Sequence, residues 1–361
     1  MKRVFNFNPG PATLPLEVLK EVQEEFLDYQ GSGMSIIEMS HRAEPFEKLN
    51  KEVEEDMKEL MGIGDDYRVV FIQGGATMQF SLIPFNLMKE GQTADYVVTG
   101  EFAERAFKQA TQLGKAHAAA DLSLEKFRRV PKVSELKMSP NQSYLHITTN
   151  NTIYGTAWRE YPDFGDVTLV ADMSSDFLSH PFDATKFDLI YAGVQKNLGP
   201  SGAAAVVIKK SLLEKCNENI PEYFSYKVQA KNNSLYNTPP TFTIYVVGKV
   251  LKWLKAKGGL AAMGKLNLDK STMVYDVIDA HPEFYLAHAQ MDSRSMMNAT
   301  FRLPNEELEK TFVSEAAQQD LVGVKGHRSV GGMRVSMYNY LPVEGCAKLA
   351  QFMEDFYKKN K

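Results

Sequence analysis

The sequence predicts an α/β fold in which helices cover both faces of a large, mainly parallel sheet. Between residues 68 and 208, continuous apolar segments rich in β-branched residues alternate with segments of helical periodicity. Strands that are apolar without alternation are typical of parallel sheets buried on both faces. Pro239-Pro240 marks a break, and after Lys257-Gly258-Gly259 the pattern becomes mixed, which favours a separate and smaller C-terminal α/β domain.

The domain boundaries follow from chain length and from a glycine pair. The chain has 361 residues, of which 44% are hydrophobic, so it can bury two cores. Lys257-Gly258-Gly259 interrupts the pattern after a predicted helix. We therefore expect a large domain over 16–257 and a small C-terminal domain over 258–361, joined by an N-terminal arm over 1–15.

The N-terminal elements are predicted from proline and from helical spacing. Pro9-Gly10-Pro11 excludes a helix over 3–12, so we expect an extended arm there. A first helix begins after Pro15, because proline is tolerated at a helix start. One side of this helix carries Leu16, Leu19 and Phe26.

The remaining elements follow from the same periodicities. Strands are expected at 68–72, 95–99, 144–149, 167–172, 188–192, 203–208, 297–303 and 333–337. Helices are expected from about residue 45 and at 78–88, 101–113, 244–256, 268–280, 305–319 and 343–358.

Composition excludes several classes of function. The formal net charge is −4, so the chain lacks the basic surface that binds nucleic acid. No apolar stretch approaches the ~18 residues of a membrane span, and the first nine residues lack the apolar segment of a secretion signal. Cys216 and Cys346 form no disulfide or metal pattern. The histidines at 117, 146, 180, 281 and 288 are scattered and lack the spacing of metal ligands. We therefore expect a cytoplasmic protein without metal, nucleic-acid or membrane partners.

A lysine between two predicted strands is the first candidate for catalysis. Lys196 follows the apolar segment 187–192, and a loop of Gly and Pro separates it from the next strand. Burying an amine is costly, but a desolvated lysine has a lowered pKa and can form a Schiff base with an aldehyde cofactor. An ordinary turn lysine that points into water is the alternative.

A carboxylate lies at the end of the predicted strand that comes before the strand of this lysine. Asp172 ends the predicted strand 167–172, and ligands of open α/β sheets bind outside the carboxyl ends of the strands. A buried carboxylate needs a cation, for which a protonated pyridine nitrogen would serve. Adjacent strand ends could present Asp172 and Lys196 to opposite ends of one pyridine ring. A cap for the next turn is the simpler interpretation of Asp172.

A glycine turn between a strand and a helix indicates a phosphate site. In Gly74-Gly75-Ala76-Thr77, small residues allow the backbone to approach a phosphate, and the helix N-terminus offers free N–H groups. A plain glycine turn with an N-cap is the alternative. The G-x-G-x-x-G and P-loop patterns are absent, which disfavours a nucleotide site.

Several segments together resemble the phosphoserine aminotransferase family, within the class V aminotransferases of fold type I. They are NFNPGPATLP (6–15), MSIIEMSHR (34–42), FIQGGAT (71–77), ADMSSDFLS (171–179), AGVQKNLGPSG (192–202), NTPPTFTIY (237–245) and KGHRSVGGMRVSMYN (325–339). The resemblance runs essentially from end to end, and SHR with GHRSVGGMR is specific for this family within its class. It implies a pyridoxal 5'-phosphate-dependent transferase.

The resemblance implies a reaction in serine biosynthesis. The family moves an amino group reversibly between glutamate or 2-oxoglutarate and 3-phosphohydroxypyruvate or phosphoserine. It also implies 4-phosphohydroxythreonine of vitamin B6 synthesis as a further substrate to consider, and a homodimer with shared active sites.

The resemblance implies a role for each matching residue. Lys196 would bind the cofactor aldehyde and move the substrate Cα proton, and Asp172 would pair with the pyridinium nitrogen. The other cofactor-binding residues would be Ala76, Thr77 and Gln195 at the phosphate, Asn237 and Thr238 at the same phosphate from a partner subunit, Thr152 near the phenolic oxygen, and Phe102 on the ring. The family has Trp at position 102, so Phe102 should stack more weakly without abolishing function.

Two His-Arg pairs are candidates for substrate binding. A phospho-amino acid carries a carboxylate and a phosphate, both of which suit arginine. Arg42 and Arg334 are candidates for the carboxylate. His41, His327 and Arg328 are candidates for the phosphate, some of them from across a dimer interface. Without the resemblance, such pairs are more often solvated surface residues.

Three other functions stay open at this point. A class V aminotransferase or lyase with a non-phosphorylated substrate would barely depend on the His-Arg pairs. A non-catalytic protein with this fold would be expected to lack Lys196 or Asp172, and both are present. A phosphate-binding oxidoreductase is disfavoured by the absent dinucleotide pattern.

Overall fold

The structure is a computed structural model that describes residues 3–361. Its helices are α1 (Leu16–Glu25), α2 (Glu44–Met61), α3 (Gly75–Leu87), α4 (Glu101–Leu113), α5 (Lys210–Glu214), α6 (Tyr226–Lys231), α7 (Thr241–Ala256), α8 (Gly259–Ala280), α9 (Glu306–Gln318) and α10 (Val343–Asn360). Its strands are β1 (Phe5–Asn6), β2 (Tyr67–Gln73), β3 (Thr93–Val98), β4 (Ala116–Asp121), β5 (Gln142–Thr148), β6 (Asn150–Asn151), β7 (Thr156–Ala157), β8 (Leu169–Asp172), β9 (Leu189–Gly193), β10 (Ala203–Lys209), β11 (Leu286–Ala287), β12 (Asn298–Arg302), β13 (Leu321–Val322) and β14 (Met333–Ser336).

A seven-stranded sheet forms the centre of the fold. Its strand order is β2-β10-β9-β8-β5-β3-β4. Only β10 runs antiparallel to its neighbours β2 and β9, and the other pairs are parallel. Every residue of β8 and β9 is buried, as expected for strands covered on both faces. The prediction of a mainly parallel α/β/α sheet is confirmed.

The structure differs from the prediction in one additional strand and in the starts of two helices. Strand β4 was not expected, because its sequence AHAAAD contains no β-branched residue and forms the edge of the sheet. Helix α3 begins at Gly75, immediately after the glycine turn, and α8 begins at Gly259 rather than near 268. Glycine lowers helix propensity, but at a helix N-terminus it supplies the left-handed turn that starts the helix.

A second buried cluster, the C-terminal core, lies under the antiparallel sheet β11-β12-β14. It contains apolar residues of α9, α10 and the second half of α8, together with Phe7 of the N-terminal arm. The arm is therefore a structural part of this unit, since β1 pairs in parallel with β13. Because Leu260 and Met263 of α8 pack into the core of the large sheet instead, α8 links the two units. The boundary at 257/258 stays a prediction.

The apolar side of α1 is exposed in the protomer. Val18 and Val22 are the buried residues of this helix, whereas Leu16, Leu19 and Phe26 are exposed. Exposed apolar side chains continue along the next loop, through Leu27, Met34 and Ile37. Within residues 3–361, no helix is long and apolar enough to cross a membrane.

Candidate active site

A cavity of about 510 Å³ opens at the carboxyl ends of β8 and β9, beside the N-terminus of α3. This is the location where open α/β sheets bind ligands. It brings together seven of the predicted residues. They are Ala76, Thr77, Phe102, Thr152, Asp172, Gln195 and Lys196.

Lys196 is buried in this cavity and carries no ion pair with a carboxylate of residues 3–361. Its Nζ donates a hydrogen bond to Thr152 Oγ1 at 2.8 Å and lies 5.4 Å from the centroid of the Phe102 ring. Burial lowers the pKa of Lys196 to about 8, although Asp172 and Asp176 act in the opposite direction. A large fraction of the amine is therefore neutral near pH 8, as a nucleophile must be. The alternative of a solvated turn lysine is wrong.

The chain holds Lys196 between a buried strand and the N-terminal arm. Strand β9 ends at Gly193, and the backbone turns so that the amides of Leu198 and Gly199 donate to the carbonyl of Val194. Ala12 of the arm donates to the carbonyl of Gln195 at 3.0 Å. A Cβ on Gly10 would lie only 3.3 Å from Gln195 Cγ and 3.4 Å from Lys196 Cγ. Glycine at this position lets the arm cover the lysine.

Asp172 lies at the end of the neighbouring strand β8. It is buried and aligned in register with Thr148 on β5 and Tyr191 on β9. One carboxylate oxygen accepts the Ser174 N–H at 2.9 Å, and Ser174 Oγ in turn accepts the N–H of Gly193 at 3.0 Å. Within residues 3–361 no Lys or Arg lies within ion-pair distance of Asp172, although its charge raises the pKa of Lys196 against the effect of burial. A buried carboxylate without an ion-pair partner can stabilise a cation that a ligand brings.

The N-terminus of α3 faces the same cavity. Gly74 and Gly75 have φ of 95° and 67°, which glycine adopts without strain. No side chain caps the helix, and its first turn carries no acidic residue. The first-turn N–H groups near Ala76 and Thr77 are therefore available to an anion.

Arg334 is a buried cation without an anion. It is 7% exposed, its Nε has no hydrogen-bond partner, and it forms no ion pair with the rest of residues 3–361. Burial lowers the pKa of its guanidinium. Its charge acts on both Lys196 and His327, although Arg334 itself is not among the residues that line the cavity.

His327 and Arg328 belong to a loop that lines a separate cavity together with Arg302. His327 Nδ1 lies 2.7 Å from Ser329 Oγ, and partial burial, followed by the charge of Arg334, lowers the pKa of His327. Glu101 of α4 also acts on His327, which places this loop near the helix that carries Phe102. Arg328 is exposed.

Seven predicted residues do not line this cavity within one protomer. Three of them are Arg334, His327 and Arg328, and the other four are His41, Arg42, Asn237 and Thr238. Arg42 is exposed and lines a different cavity along α2, while His41 Nε2 is buried without a partner. The carbonyl of Thr238 accepts a hydrogen bond from Gln73 Nε2 at 2.8 Å, and neither Asn237 nor Thr238 is among the lining residues.

The structure adds two polar residues that sequence reasoning missed. Thr148 Oγ1 lines the cavity, is buried and has no partner. Asp176 is buried and accepts hydrogen bonds from Thr149 Oγ1 at 2.6 Å and from Tyr161 OH at 3.1 Å, and burial raises its pKa to about 7. Thr148 ends a strand, so the rule that led to Asp172 could have found it as well.

A comparison with protein families now identifies the chain. Residues 4–349 match the family described as aminotransferase class-V. The chain belongs to this family. Among residues 3–361 of this aminotransferase, no group of three or more His, Cys, Asp or Glu side chains could hold a metal ion.

Individual relatives of the aminotransferase are similar over its whole length. It is 52% identical to the phosphoserine aminotransferase of Desulfosudis oleivorans, over 99% of both chains. Its structure matches phosphoserine aminotransferase from Bacillus circulans subsp. alkalophilus with a TM-score of 0.98 and 49% identity, covering both chains completely. A PLP-bound phosphoserine aminotransferase from Trichomonas vaginalis matches with a TM-score of 0.93 and 37% identity, over 98% of this chain and 100% of that one.

The residues of the cavity fit pyridoxal phosphate. Lys196 offers a desolvated amine for the aldehyde, and Asp172 is a buried carboxylate that lacks a cation. The uncapped N-terminus of α3 suits the phosphate, and the unpartnered Thr148 Oγ1 marks a polar group that still needs a ligand or water.

Proposed function

We propose that this class-V aminotransferase is a phosphoserine aminotransferase. It transfers the amino group reversibly between glutamate and 3-phosphohydroxypyruvate, which gives 2-oxoglutarate and phosphoserine for serine biosynthesis. The observation that carries the proposal is the buried amine of Lys196 in one cavity with the uncompensated carboxylate of Asp172. The full-length similarity to phosphoserine aminotransferases supports the substrate.

The cofactor of this reaction is pyridoxal phosphate. When bound, its protonated ring withdraws electrons from the substrate Cα and so makes the Cα–H bond acidic. Asp172 stabilises that protonated form, because a negative charge raises the pKa of a nearby cationic acid. Ala76, Thr77 and Gln195 would hold its phosphate and Phe102 would stack on its ring, while Thr152 accepts a hydrogen bond from the amine of Lys196.

Lys196 moves the proton in both halves of the reaction. As a neutral amine it would accept the proton from the substrate Cα, and as an ammonium it would deliver that proton to the carbon that carries the cofactor's aldehyde group. A pKa of about 8 keeps both forms populated near neutral pH, whereas an ordinary lysine would remain protonated. The N-terminal arm packs over Lys196 and would limit the access of water to this step.

Cationic side chains bind the two anionic groups of the substrate. Arg334 binds the α-carboxylate, because it is buried without an anion of its own and its charge acts on Lys196. His327 and Arg328 bind the substrate phosphate from the loop above it. His41 and Arg42 add to the anion site of a neighbouring subunit, since they do not reach the cavity of their own protomer.

A homodimer completes the site in this proposal. The exposed apolar side of α1 and the loop after it, through Leu27 and Ile37, offer an apolar surface to a second copy of the chain. Asn237 and Thr238 would reach the cofactor phosphate of that copy. Sedimentation should give twice the mass of the chain, and Leu27→Glu with Ile37→Glu should lower it to that of one chain.

The proposal places the enzyme in the cytoplasm. Cys216 and Cys346 are both free and buried, which suits a reducing compartment. The same anion site would accept 4-phosphohydroxythreonine, because it keeps the α-amino acid and the phosphate of phosphoserine. The division into domains 16–257 and 258–361 with an arm over 1–15 is part of the proposal.

The decisive experiment measures glutamate formed from 2-oxoglutarate, with phosphoserine or serine as the amino donor. The loaded wild type should use phosphoserine at least a hundredfold better, because the cationic groups lose their anion in serine. Lys196→Ala should abolish the reaction, while Lys265→Ala on the exposed surface of α8 should leave it unchanged. Equal use of both donors would point to a class-V aminotransferase with a non-phosphorylated substrate.

A further inference from the structure

A buried lysine outside the cavity organises the turn after β14. Lys270 of α8 is completely buried, and no carboxylate among residues 3–361 pairs with it. Its Nζ donates to the carbonyl oxygens of Tyr338 at 2.6 Å, Asn339 at 3.4 Å and Leu341 at 3.4 Å. Three carbonyls converge on one point here because an ammonium holds them there.

The same turn binds the residue next to Lys196. The N–H of Asn339 donates to Asn197 Oδ1 at 3.1 Å, and Tyr340 OH donates to the carbonyl of Asn197 at 2.8 Å. Asn197 Nδ2 then donates to the carbonyl of Ser175, in the segment after Asp172, at 3.1 Å. The turn therefore contacts the segments of both Lys196 and Asp172.

A second side chain of α8 closes this network. Asn267, one turn before Lys270, donates through Nδ2 to Asn339 Oδ1 and to the carbonyl of Ser179, each at 2.8 Å. Asn339 Nδ2 donates to the carbonyl of Leu178 at 2.9 Å. We call this network the Lys270 clasp; its side chains are Asn197, Asn267, Lys270, Asn339 and Tyr340, all of them buried.

The clasp joins two parts of the site that belong to different cores. Lys196 and Asp172 extend from the large sheet, whereas Arg334 lies on β14 of the C-terminal sheet, four residues before Tyr338. Burying an ammonium without a counter-ion lowers the free energy of unfolding, so an apolar residue at position 270 would normally be more stable. A lysine at this position is therefore explained by the three carbonyl groups that need a donor.

We propose that Lys270 is a positioning residue: by fixing the turn 338–341 against Asn197, it sets where Arg334 lies relative to Lys196. A substrate held by its carboxylate at Arg334 then presents its Cα to the amine of Lys196. A displacement of about 1 Å at this point is enough to cost about 100-fold in rate. The kinetic part of this inference rests on the proposed function, through the role of Arg334.

The test compares Lys270→Met with Lys265→Met on the same helix, where Lys265 is exposed and pairs only with Asp269. Methionine keeps an unbranched side chain, one atom shorter than that of lysine, and removes the three N–H donors. In the loaded enzyme, Lys270→Met should raise the KM for glutamate at least tenfold, while Lys265→Met should leave it within twofold. An unchanged KM in a folded Lys270→Met protein, with only a lower Tm, would overturn the proposal.

Amide hydrogen exchange gives a readout that does not depend on activity. In the protein without cofactor, Lys270→Met should speed the exchange of Leu198 and Gly199, whose amides donate to Val194, at least tenfold. If the role of Lys270 is purely local, Lys270→Met should speed exchange only within 338–341 and leave 198–199 unchanged. That result would refute the inference, and it does not depend on whether the wild type accepts phosphoserine.

Tyr340→Phe keeps the test decisive if Lys270→Met does not fold. This variant removes a single hydroxyl, the donor to the carbonyl of Asn197, and leaves Lys270 in place. It should raise the KM for glutamate about threefold and speed exchange at Leu198 and Gly199. The absence of both effects would overturn the proposal.

Discussion

Replacing Arg334 by methionine should weaken substrate binding and stabilise the empty protein at the same time. Arg334 is 7% exposed, has an unpartnered Nε and forms no ion pair within residues 3–361. If its anion is the substrate carboxylate, the substrate-free enzyme carries an uncompensated buried charge. Active sites commonly contain such destabilising groups because function requires them.

The two effects have different magnitudes. Hydrogen bonds between charged groups contribute about 1.5–3 kcal/mol, and a two-pronged contact between arginine and carboxylate lies at the upper end. A loss of about 3 kcal/mol corresponds to roughly a 150-fold fall in kcat/KM for glutamate, since each 1.36 kcal/mol is tenfold. Removing an unpaired buried donor should raise the free energy of unfolding by about 1–3 kcal/mol. Imperfect packing of the methionine should offset part of this gain. We expect a net gain of about 1 kcal/mol in the free energy of unfolding.

The assay measures kcat/KM for glutamate and the urea midpoint of the protein without substrate. Arg294→Met is the matched control, because Arg294 is similarly buried but pairs with Asp279 through two contacts of 2.6 Å. This control should lose stability and keep its KM. A KM for glutamate within threefold of wild type in Arg334→Met would refute the assignment and direct attention to Arg42.

Three further predictions concern the cofactor side of the cavity. The rate at which the empty protein takes up pyridoxal phosphate, measured by the change in absorbance, should rise as the pH increases through about 8, because only the neutral amine of Lys196 attacks the aldehyde. A pH profile of this rate with its inflection near 10.5 would contradict the lowered pKa of Lys196. Asp172→Asn should lower kcat on the order of 100-fold while the protein still takes up cofactor, since Lys196 is intact; a kcat within fivefold of wild type would exclude the charge as its role. Phe102→Trp should slow the loss of cofactor on dialysis roughly 2- to 10-fold, because ring pairs contribute about 0.5–1.5 kcal/mol, and faster loss would show that position 102 does not stack on the ring.

The strand ends are the part of the site that the sequence predicted best. Asp172 and Lys196 follow apolar strands, and parallel strands present their carboxyl ends at one edge, so their meeting in one cavity follows from local pattern alone. The glycine turn before Ala76 was predictable for the same reason, because its positive φ angles demand glycine.

Other parts of the structure depend on packing that local pattern does not encode. Strand β4 is alanine-rich and is a strand only because it pairs with β3. Helix α1 buries Val18 and Val22, although Leu16 and Leu19 are the larger apolar residues. Lys270 gave no signal, since a lysine in a helix is normally solvated and its acceptors lie 68 to 71 residues away in sequence.

The measurement that tests the central claim most directly is the visible spectrum of the purified protein loaded with pyridoxal phosphate, before and after addition of phosphoserine. A yellow band that bleaches with phosphoserine and persists with serine would establish the cofactor on Lys196 and the need for the substrate phosphate together. A yellow band that is indifferent to phosphoserine would contradict the substrate, and a protein that stays colourless with pyridoxal phosphate would contradict the whole account.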